Sequence, residues 1–359
     1  MTTGLPGTAT AEHAAVTAAL PETTPAAVLR NGAVVVERVP VPTPGPGELL
    51  VAVDLATVCA ADRAAVHTGG PDRVLGHEGI GRVLAAGPGT TAHARDRVVW
   101  ASAVSCGRCD RCRGGRSAAC RKLRRIGEHA IDSAWPLSGA FAGHLLLPRG
   151  ATVVPVPEVL CDAVAAPTSC AAATVMAALD AAGSLRGARV LIAGAGMLGL
   201  TAAAVATDRS ASSVVVVDRD ASRRALARAF GATESLVPGV ALPDVDVALT
   251  FGSPSSEAFG ALALGGRLVV IGDAGPAAAG AGDELALDTR RLASRWLAVA
   301  GVRDAEPRHL ADAVAYLVDA RERWPWEQLV SPAMPMSSLP TLLDQPSPIA
   351  PRAAVQPRR

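Results

Sequence analysis

The stretch Arg189-Val-Leu-Ile-Ala-Gly194-Ala-Gly196-Met-Leu-Gly199-Leu constrains the fold more than any other part of this chain. Its apolar, branched start predicts a buried parallel strand, and the Ala-rich run from Leu200 to Thr207 predicts a helix behind it. The three glycines between them have separate tasks. Gly194 permits a tight turn, Gly196 lets a pyrophosphate approach the backbone, and Gly199 lets the helix pack closely on the strand. Free N–H groups and the helix dipole would then hold the phosphates. A lone G-x-G-x-x-G says little in a chain with 35 glycines, but here a second strand follows, Val214–Val217. It ends in Asp218, where a carboxylate would hold a ribose 2′-hydroxyl. Further on, Asp220–Phe230 reads as an amphipathic helix, and 245–251, 266–272 and 297–303 read as strands. Alternating strand and helix predicts an α/β, doubly wound sheet.

The chain has 359 residues, enough for two domains. Residues 1–25 are Ala, Thr and Pro with few large apolar groups, and are expected to be a disordered extension. From Ala26 the texture changes. Short runs at Ala27–Arg30, Ala33–Val39 and Glu48–Val58, punctuated by Pro and Gly, predict a small β-barrel. Beyond Glu306 a helix leads into a Pro-rich tail expected to pack back on this first domain.

Net charge is +1, which gives no reason to expect a nucleic-acid or anionic-membrane partner. No apolar run is long enough for a membrane span, and no signal pattern opens the chain, so a cytoplasmic location is expected. Seven cysteines with four in a tight cluster suit metal in a reducing compartment better than a disulfide framework.

That cluster is Cys106-Gly-Arg-Cys109-Asp-Arg-Cys112 followed by Cys120. Four thiolates so spaced can close a tetrahedral shell around zinc, with no open position, so the site is expected to be structural. An iron–sulfur cluster is the rival reading. Upstream stand Cys59, Asp62 and the tripeptide Gly76-His77-Glu78. Cys and neutral His are good zinc ligands, and a nearby carboxylate can ligate or tune the metal. Cys170, near a helix start, reads equally as a small buried hydrophobe or as the third ligand of an open zinc site with Cys59 and His77. Cys161 has no evident partner and is expected in the core.

These elements in this order resemble the zinc-dependent medium-chain alcohol dehydrogenases. The resemblance runs from Ala26 to the C-terminus. It rests on Cys59…Asp62, Gly76-His77-Glu78, the four-cysteine loop, Cys170…Thr174 and the glycine turn with Asp218. It implies a GroES-like catalytic domain over 26–165, completed by 305–359, around a Rossmann domain over 166–304. It implies two zinc ions per chain, NAD rather than NADP, an alcohol or carbonyl substrate, and a homodimer or homotetramer. Cys59, His77 and Cys170 would hold the catalytic zinc, with Glu78 as an alternating ligand; Asp62 would orient the histidine. Thr174 would lie beside the nicotinamide, and Arg219, next to Asp218, could soften the NAD preference. Several runs, including Trp135-Pro-Leu-Ser-Gly and Glu306-Pro-Arg-His-Leu, are similar to a subgroup associated with phosphonate catabolism. A cyclitol or polyol dehydrogenase is the alternative within enzymes, and a non-catalytic zinc- and nucleotide-binding protein the alternative outside them.

Two departures from the family pattern stand out. The Ser or Thr two residues after the first zinc cysteine, and the frequent His five after it, are Ala61 and Ala64. Neither can pass a proton, so Glu78, His67, water or the substrate itself would have to. The usual Gly before Asp-Arg-Val is Arg95, expected to be a tolerated loop substitution.

Overall fold

The computed structural model describes residues 20–251, 255–272, 287–345, 347 and 349–358. Most of the expected N-terminal extension, residues 1–19, lies outside them. The first strand reaches further back than the composition suggests: Thr23–Arg30 includes Thr23, Thr24 and Pro25, with Thr24 fully buried. Pairing along its whole length with Ala33–Pro40 recruits these small residues.

The first half is built on a mixed sheet centred on Leu49–Val58. That strand pairs antiparallel with Glu78–Ala86 and His144–Leu147, and carries register shifts that bend it. Its burial pattern is almost continuous, as expected of a strand covered on both faces. The Pro-rich tail contributes to this sheet: Arg352–Gln356 pairs antiparallel with Leu49–Val58 and parallel with Val330–Pro335. The return comes later than residue 305, however. Helix Pro307–Asp319 first lays Leu310, Ala313, Val314 and Leu317 into the core of the nucleotide half.

That second half is a six-stranded sheet of parallel pairs. Arg189–Ala193 lies at its centre between Ser213–Val217 and Val245–Phe251. Leu262–Ile271 and Ala298–Val302 continue to one edge, and Glu234–Leu236 forms the other. Helices Ala171–Ala182 and Met197–Asp208 are nearly all Ala and small apolar residues, which lets them approach closely. The fold is therefore α/β, a barrel-like mixed sheet joined to a doubly wound, Rossmann-type parallel sheet. Among the described residues no single helix is long and apolar enough to cross a membrane; Asp162–Ser169 and Ala171–Ala182 pass together only as a pair bent by 54°.

Cys161 is not in the core. It caps helix Asp162–Ala165 at the surface, with its Sγ 3.6 Å from Glu327 Oε1. The apolar run begins only after it, so its exposure follows from its place in the turn.

Arg95 also departs from expectation. Its φ is 76°, in the left-handed region that disfavours a side chain, while its amide donates to Val83 O at 2.8 Å. The position is conformationally demanding rather than indifferent. Arg95 is exposed and has no hydrogen-bonded or ion-paired side-chain partner among the described residues. Relief of left-handed strain should exceed the extra freedom glycine brings to the unfolded chain, so Arg95→Gly should stabilise by about 1 kcal/mol. Denaturant unfolding of the two proteins measures this; an unchanged or lower midpoint would contradict it.

Candidate active site

The glycine turn is built as the sequence suggests. Gly194 has φ 101°, and a Cβ on Gly199 would lie 1.8 Å from Gly194 O, so helix and strand meet at a distance only glycine allows. In front of Gly196 there is open space: a Cβ there would meet nothing within 4 Å. Gly196 caps helix Met197–Asp208 and presents the free amides of its first turn.

Asp218 has a second task that its sequence position does not announce. It is buried, and its Oδ2 accepts from Ala195 N at 2.7 Å while Oδ1 accepts from Asp220 N at 2.8 Å. The carboxylate braces the turn, because a strand end delivers it directly to two unpaired amides. Arg219 is exposed beside it, and its carbonyl, like that of Asp218, accepts from Arg224 Nη1. Arg223, not Arg219, reaches the wall of the cavity described next.

That cavity, of about 540 Å³, is walled by Gly196–Gly199 on one side and Cys59–Asp62 on the other. His77, Cys170, Thr174 and Arg352 also line it. Another concavity, of about 700 Å³, is lined by paired charges such as Arg82–Glu158 and Arg97–Asp162 and holds none of the clustered sulfur ligands.

The structure brings together Cys59, His77, Glu78 and Cys170, with one ligand atom from each within 4.8 Å of all the others. Three elements deliver them. Cys59 caps helix Ala60–His67, His77 and Glu78 lie where a glycine bend enters strand Glu78–Ala86, and Cys170 caps helix Ala171–Ala182. Asp62 fastens two of them: Oδ2 accepts from Cys59 N at 2.8 Å and Oδ1 lies 2.9 Å from His77 Nδ1. This leaves His77 Nε2 for a metal.

The electrostatics fit a cation. A hydrogen bond from Cys170 and the charge of Arg352 hold the Cys59 thiol well below its ordinary pKa, against the effect of burial. The same hydrogen bond and burial push Cys170 well up. At His77, burial opposes the imidazolium, but Asp62 and Cys59 outweigh it and raise the pKa well above that of a free histidine. Burial raises Glu78 to about 7, with Arg352 opposing. Two adjacent thiols cannot both ionise readily, and a divalent cation among them removes the conflict.

Arg352 was not singled out by its sequence. From the last strand it donates Nε to Glu78 Oε2 at 3.2 Å, and Nη2 to Glu78 Oε1 at 3.3 Å and to Cys59 Sγ at 3.4 Å. Thr57 Oγ1 completes the carboxylate's partners at 2.5 Å. A lone Arg near the end of a Pro-rich tail carries no motif, so only the fold reveals it.

The four-cysteine loop also converges. Sγ separations are 3.5 Å for Cys109–Cys112 and 4.0 Å for Cys106–Cys112 and Cys109–Cys120. A tetrahedron with Zn–S bonds of ~2.3 Å has edges of ~3.8 Å, so the donor set fits zinc. Amides of Cys106 and Lys122 donate to Cys120 Sγ, each at 3.3 Å. Backbone donors, that of Cys112 first, lower Cys109 to about 6, while burial and the adjoining sulfurs raise Cys112 to about 11. This lobe is gripped by the nucleotide half: Glu306 accepts from Ser117 N and Ala118 N at 2.9 and 3.0 Å, and from Ser117 Oγ. Arg125 pairs with Asp304 at 2.7 Å.

Of the groups proposed to replace the missing proton relay, His67 is exposed at the end of its helix and Glu78 is fully buried; neither is on the cavity wall. Ala61 is on that wall, and the hydroxyls there are Thr68, Ser102 and Thr174.

Comparison with known proteins agrees with this architecture. Residues 45–158 match the alcohol dehydrogenase GroES-like domain. L-threonine 3-dehydrogenase of Stenotrophomonas maltophilia (strain K279a) is 34% identical over 218 residues, 58% of this chain and 61% of that protein. The chain thus spans about three fifths of that relative's length. The enzyme of the same name from Xanthomonas axonopodis pv. citri (strain 306) is 31% identical over 264 residues, 67% of this chain and 74% of its own. Among solved structures, an alcohol dehydrogenase from Thermotoga maritima shares the fold, with TM-score 0.83 at 23% identity over 93% of this chain and 99% of that one. A zinc-binding dehydrogenase from Sinorhizobium meliloti 1021, solved with NADP, has TM-score 0.82 at 27% identity over 94% and 100%.

The grip on the cysteine lobe carries a stability prediction. Glu306→Ala leaves the Ser117 and Ala118 amides without their acceptor and should cost about 1–3 kcal/mol. Hydrogen exchange should accelerate at those two amides; unchanged protection there would refute the contact's importance.

Proposed function

The chain belongs to the zinc-dependent medium-chain alcohol dehydrogenases, and from that membership we propose that it moves a hydride between an alcohol or carbonyl substrate and NAD(H). What carries the reading is one cavity with the Cys59–His77–Cys170 cluster on one wall and the glycine turn on the other. A barrel domain and a nucleotide domain would close on substrate and cofactor there.

Cys59, His77 and Cys170, with Glu78 in reserve, would hold a catalytic zinc; Cys106, Cys109, Cys112 and Cys120 would hold a structural one. Zinc at the first site supplies Lewis-acid polarisation of a substrate oxygen and brings a hydroxyl pKa toward ~7. Asp62 keeps His77 in the ligating tautomer and holds the Cys59 amide in place. Arg352 offsets the negative charge of Glu78 and Cys59, so that Glu78 stays behind the ligands. Thr174, on the wall one helical turn beyond Cys170, would border the nicotinamide. With Ala61 at the usual relay position, a proton would leave through water, a wall hydroxyl such as Thr68, or a group on the substrate.

The substrate reading favours a functionalised alcohol. Glu128, Arg303 and the Arg125–Asp304 pair all face the cavity, which suits a polar or charged molecule better than an alkyl one. Hydroxyphosphonates, polyols and the relatives' L-threonine are the compounds to compare with simple alcohols in an NAD-reduction screen. We also read the edge strand Ala298–Val302, with Trp296 80% exposed and Leu264 67% exposed nearby, as the surface of a homodimer or of a larger homo-oligomer.

The purified protein should carry two zinc ions per chain and reduce NAD with a member of this panel. Cys170→Ser should lose one zinc and all turnover with little loss of stability, whereas Cys106→Ser should lose the other and unfold more readily. A single zinc in the wild type would contradict the reading.

NAD should be preferred over NADP, because the Asp218 carboxylate opposes a 2′-phosphate. Since Asp218 also braces the turn through Ala195, Asp218→Ala should weaken both cofactors while moving the kcat/KM ratio toward NADP. A ratio that does not move would sink this assignment.

A further inference from the structure

Arg73 is buried on the cavity wall and has no ion pair among the described residues. Backbone carbonyls hold it instead. Nη1 donates to Gly69 O at 3.1 Å and to Pro71 O at 3.0 Å, and Nη2 donates to Ala65 O at 3.2 Å. Ala65 lies in the last turn of helix Ala60–His67. Carbonyls at a helix end lack partners within the helix and carry partial negative charge, so a cation is well placed there. Gly69 and Pro71 belong to the bend that follows. The planar guanidinium presents donors in two directions and so gathers helix end and bend together.

The bend is shaped for this contact and depends on it. Gly69 and Gly70 have φ of 70° and 114°, and a Cβ on Gly70 would stand 2.7 Å from Arg73 Nη1. Among the described residues Gly69 and Pro71 have no hydrogen bond except those from Arg73, and Gly70 has none. The chain just beyond is firmly tied. Asp72 pairs with Arg30 at 2.9 Å and accepts from Asn31 N at 3.1 Å, and its carbonyl accepts from Ile131 N at 2.8 Å. Strand Arg73–Val74 pairs with Thr23–Arg30 and runs on to Gly76 and His77. Arg73 thus joins the helix that starts at Cys59 to the strand that leads to His77. Ala65 and the whole bend, Thr68–Pro71, line the cavity on the barrel side.

We propose that Arg73 is a positioning residue that sets specificity: it fixes 68–71 as a wall of the cavity and so limits the bulk of the alcohol or carbonyl compound that reaches the ligand cluster. The limit on substrate rests on the dehydrogenase reading above; the clamp on the bend does not. Without the guanidinium, two glycines with no other polar tie would leave that wall free to move outward, and loops of this kind decide which molecules a scaffold admits.

Two measurements on the zinc-replete full chain test this. Hydrogen exchange reads the clamp at the Thr68 and Ile131 amides, which donate to Ala64 O and Asp72 O. Calorimetric titration with imidazole and 4-phenylimidazole, a compact and a bulky nitrogen donor for an open zinc position, reads the wall. Arg73→Met keeps a long apolar stem and removes the donors. It should speed exchange at both amides about tenfold or more, and shift the affinity ratio about fivefold or more toward 4-phenylimidazole. ADP-ribose binding should stay within about twofold of wild type. Arg73→Lys keeps the charge without the fork; it should move both readings the same way by less, and it carries the test alone if Arg73→Met does not fold. Unchanged amides overturn the clamp, and faster amides with an unchanged affinity ratio overturn the role in specificity. An equal loss of both imidazoles and ADP-ribose would also overturn it, as general damage. A wild type that binds neither imidazole removes the open-zinc reading and the role in specificity with it, and the two amides then decide the clamp by themselves.

Discussion

One buried guanidinium ties the end of the chain to its ligand cluster. Arg352 has almost no contact with water and meets Glu78, which has none, while also reaching the Cys59 sulfur. Burying such a pair is costly, and removing either partner alone typically costs ~3–5 kcal/mol because the other is left uncompensated. The pair therefore demands its setting. Arg352 starts the strand that pairs with Leu49–Val58, and Leu49–Val58 ends immediately before Cys59. Slipping that pairing by one residue would turn the guanidinium to the opposite face. Strand register and ligand geometry thus specify each other.

The cavity depends on two halves of different construction. One wall is an irregular barrel that carries Cys59 and Asp62 at the start of a short helix and His77 just before a strand. The other is a parallel sheet whose central strand ends at the glycine turn. Directed polar contacts hold the halves around the cavity: Glu306 on the cysteine lobe, and Asp304 on Arg125. They act beside an apolar core that the two halves share, since Leu55, Ile80 and Val99 of the barrel belong to one cluster with the Ala-rich helices Ala171–Ala182 and Met197–Asp208.

Charge placement inside the cavity separates structural from chemical roles. The Arg125–Asp304 and Arg352–Glu78 pairs are internally satisfied and shape the walls. Arg63, Arg223, Arg303 and Glu128 line the cavity without an ion pair among the described residues. With Ala61 where a relay hydroxyl is usual, proton transfer is left to water, to other wall groups or to the substrate, in keeping with a polar substrate.

Much was legible in the residues themselves because it depends on spacing within one element. The glycine turn, the strand-and-helix alternation after it, and the two-two-seven cysteine loop are local patterns, and the structure realises each. The pairing of Cys59 with His77 and Cys170 was suggested by composition and family pattern, but their convergence on one point is a product of folding. Other features were not legible. Arg352 and Glu306 act across 274 and 189 residues of sequence, and nothing near either announces its partner. Asp218 also braces the glycine turn, Cys161 lies at the surface, and Arg95 occupies a left-handed bend, each because of backbone placement that local composition does not encode. The sequence by itself determined which elements form and which residues can bind metal, since these follow from short-range sterics and donor chemistry. Only the tertiary structure decided which charges are paired, which face the cavity and which wall they stand on, because burial and Coulomb energy depend on distances between segments far apart in the chain.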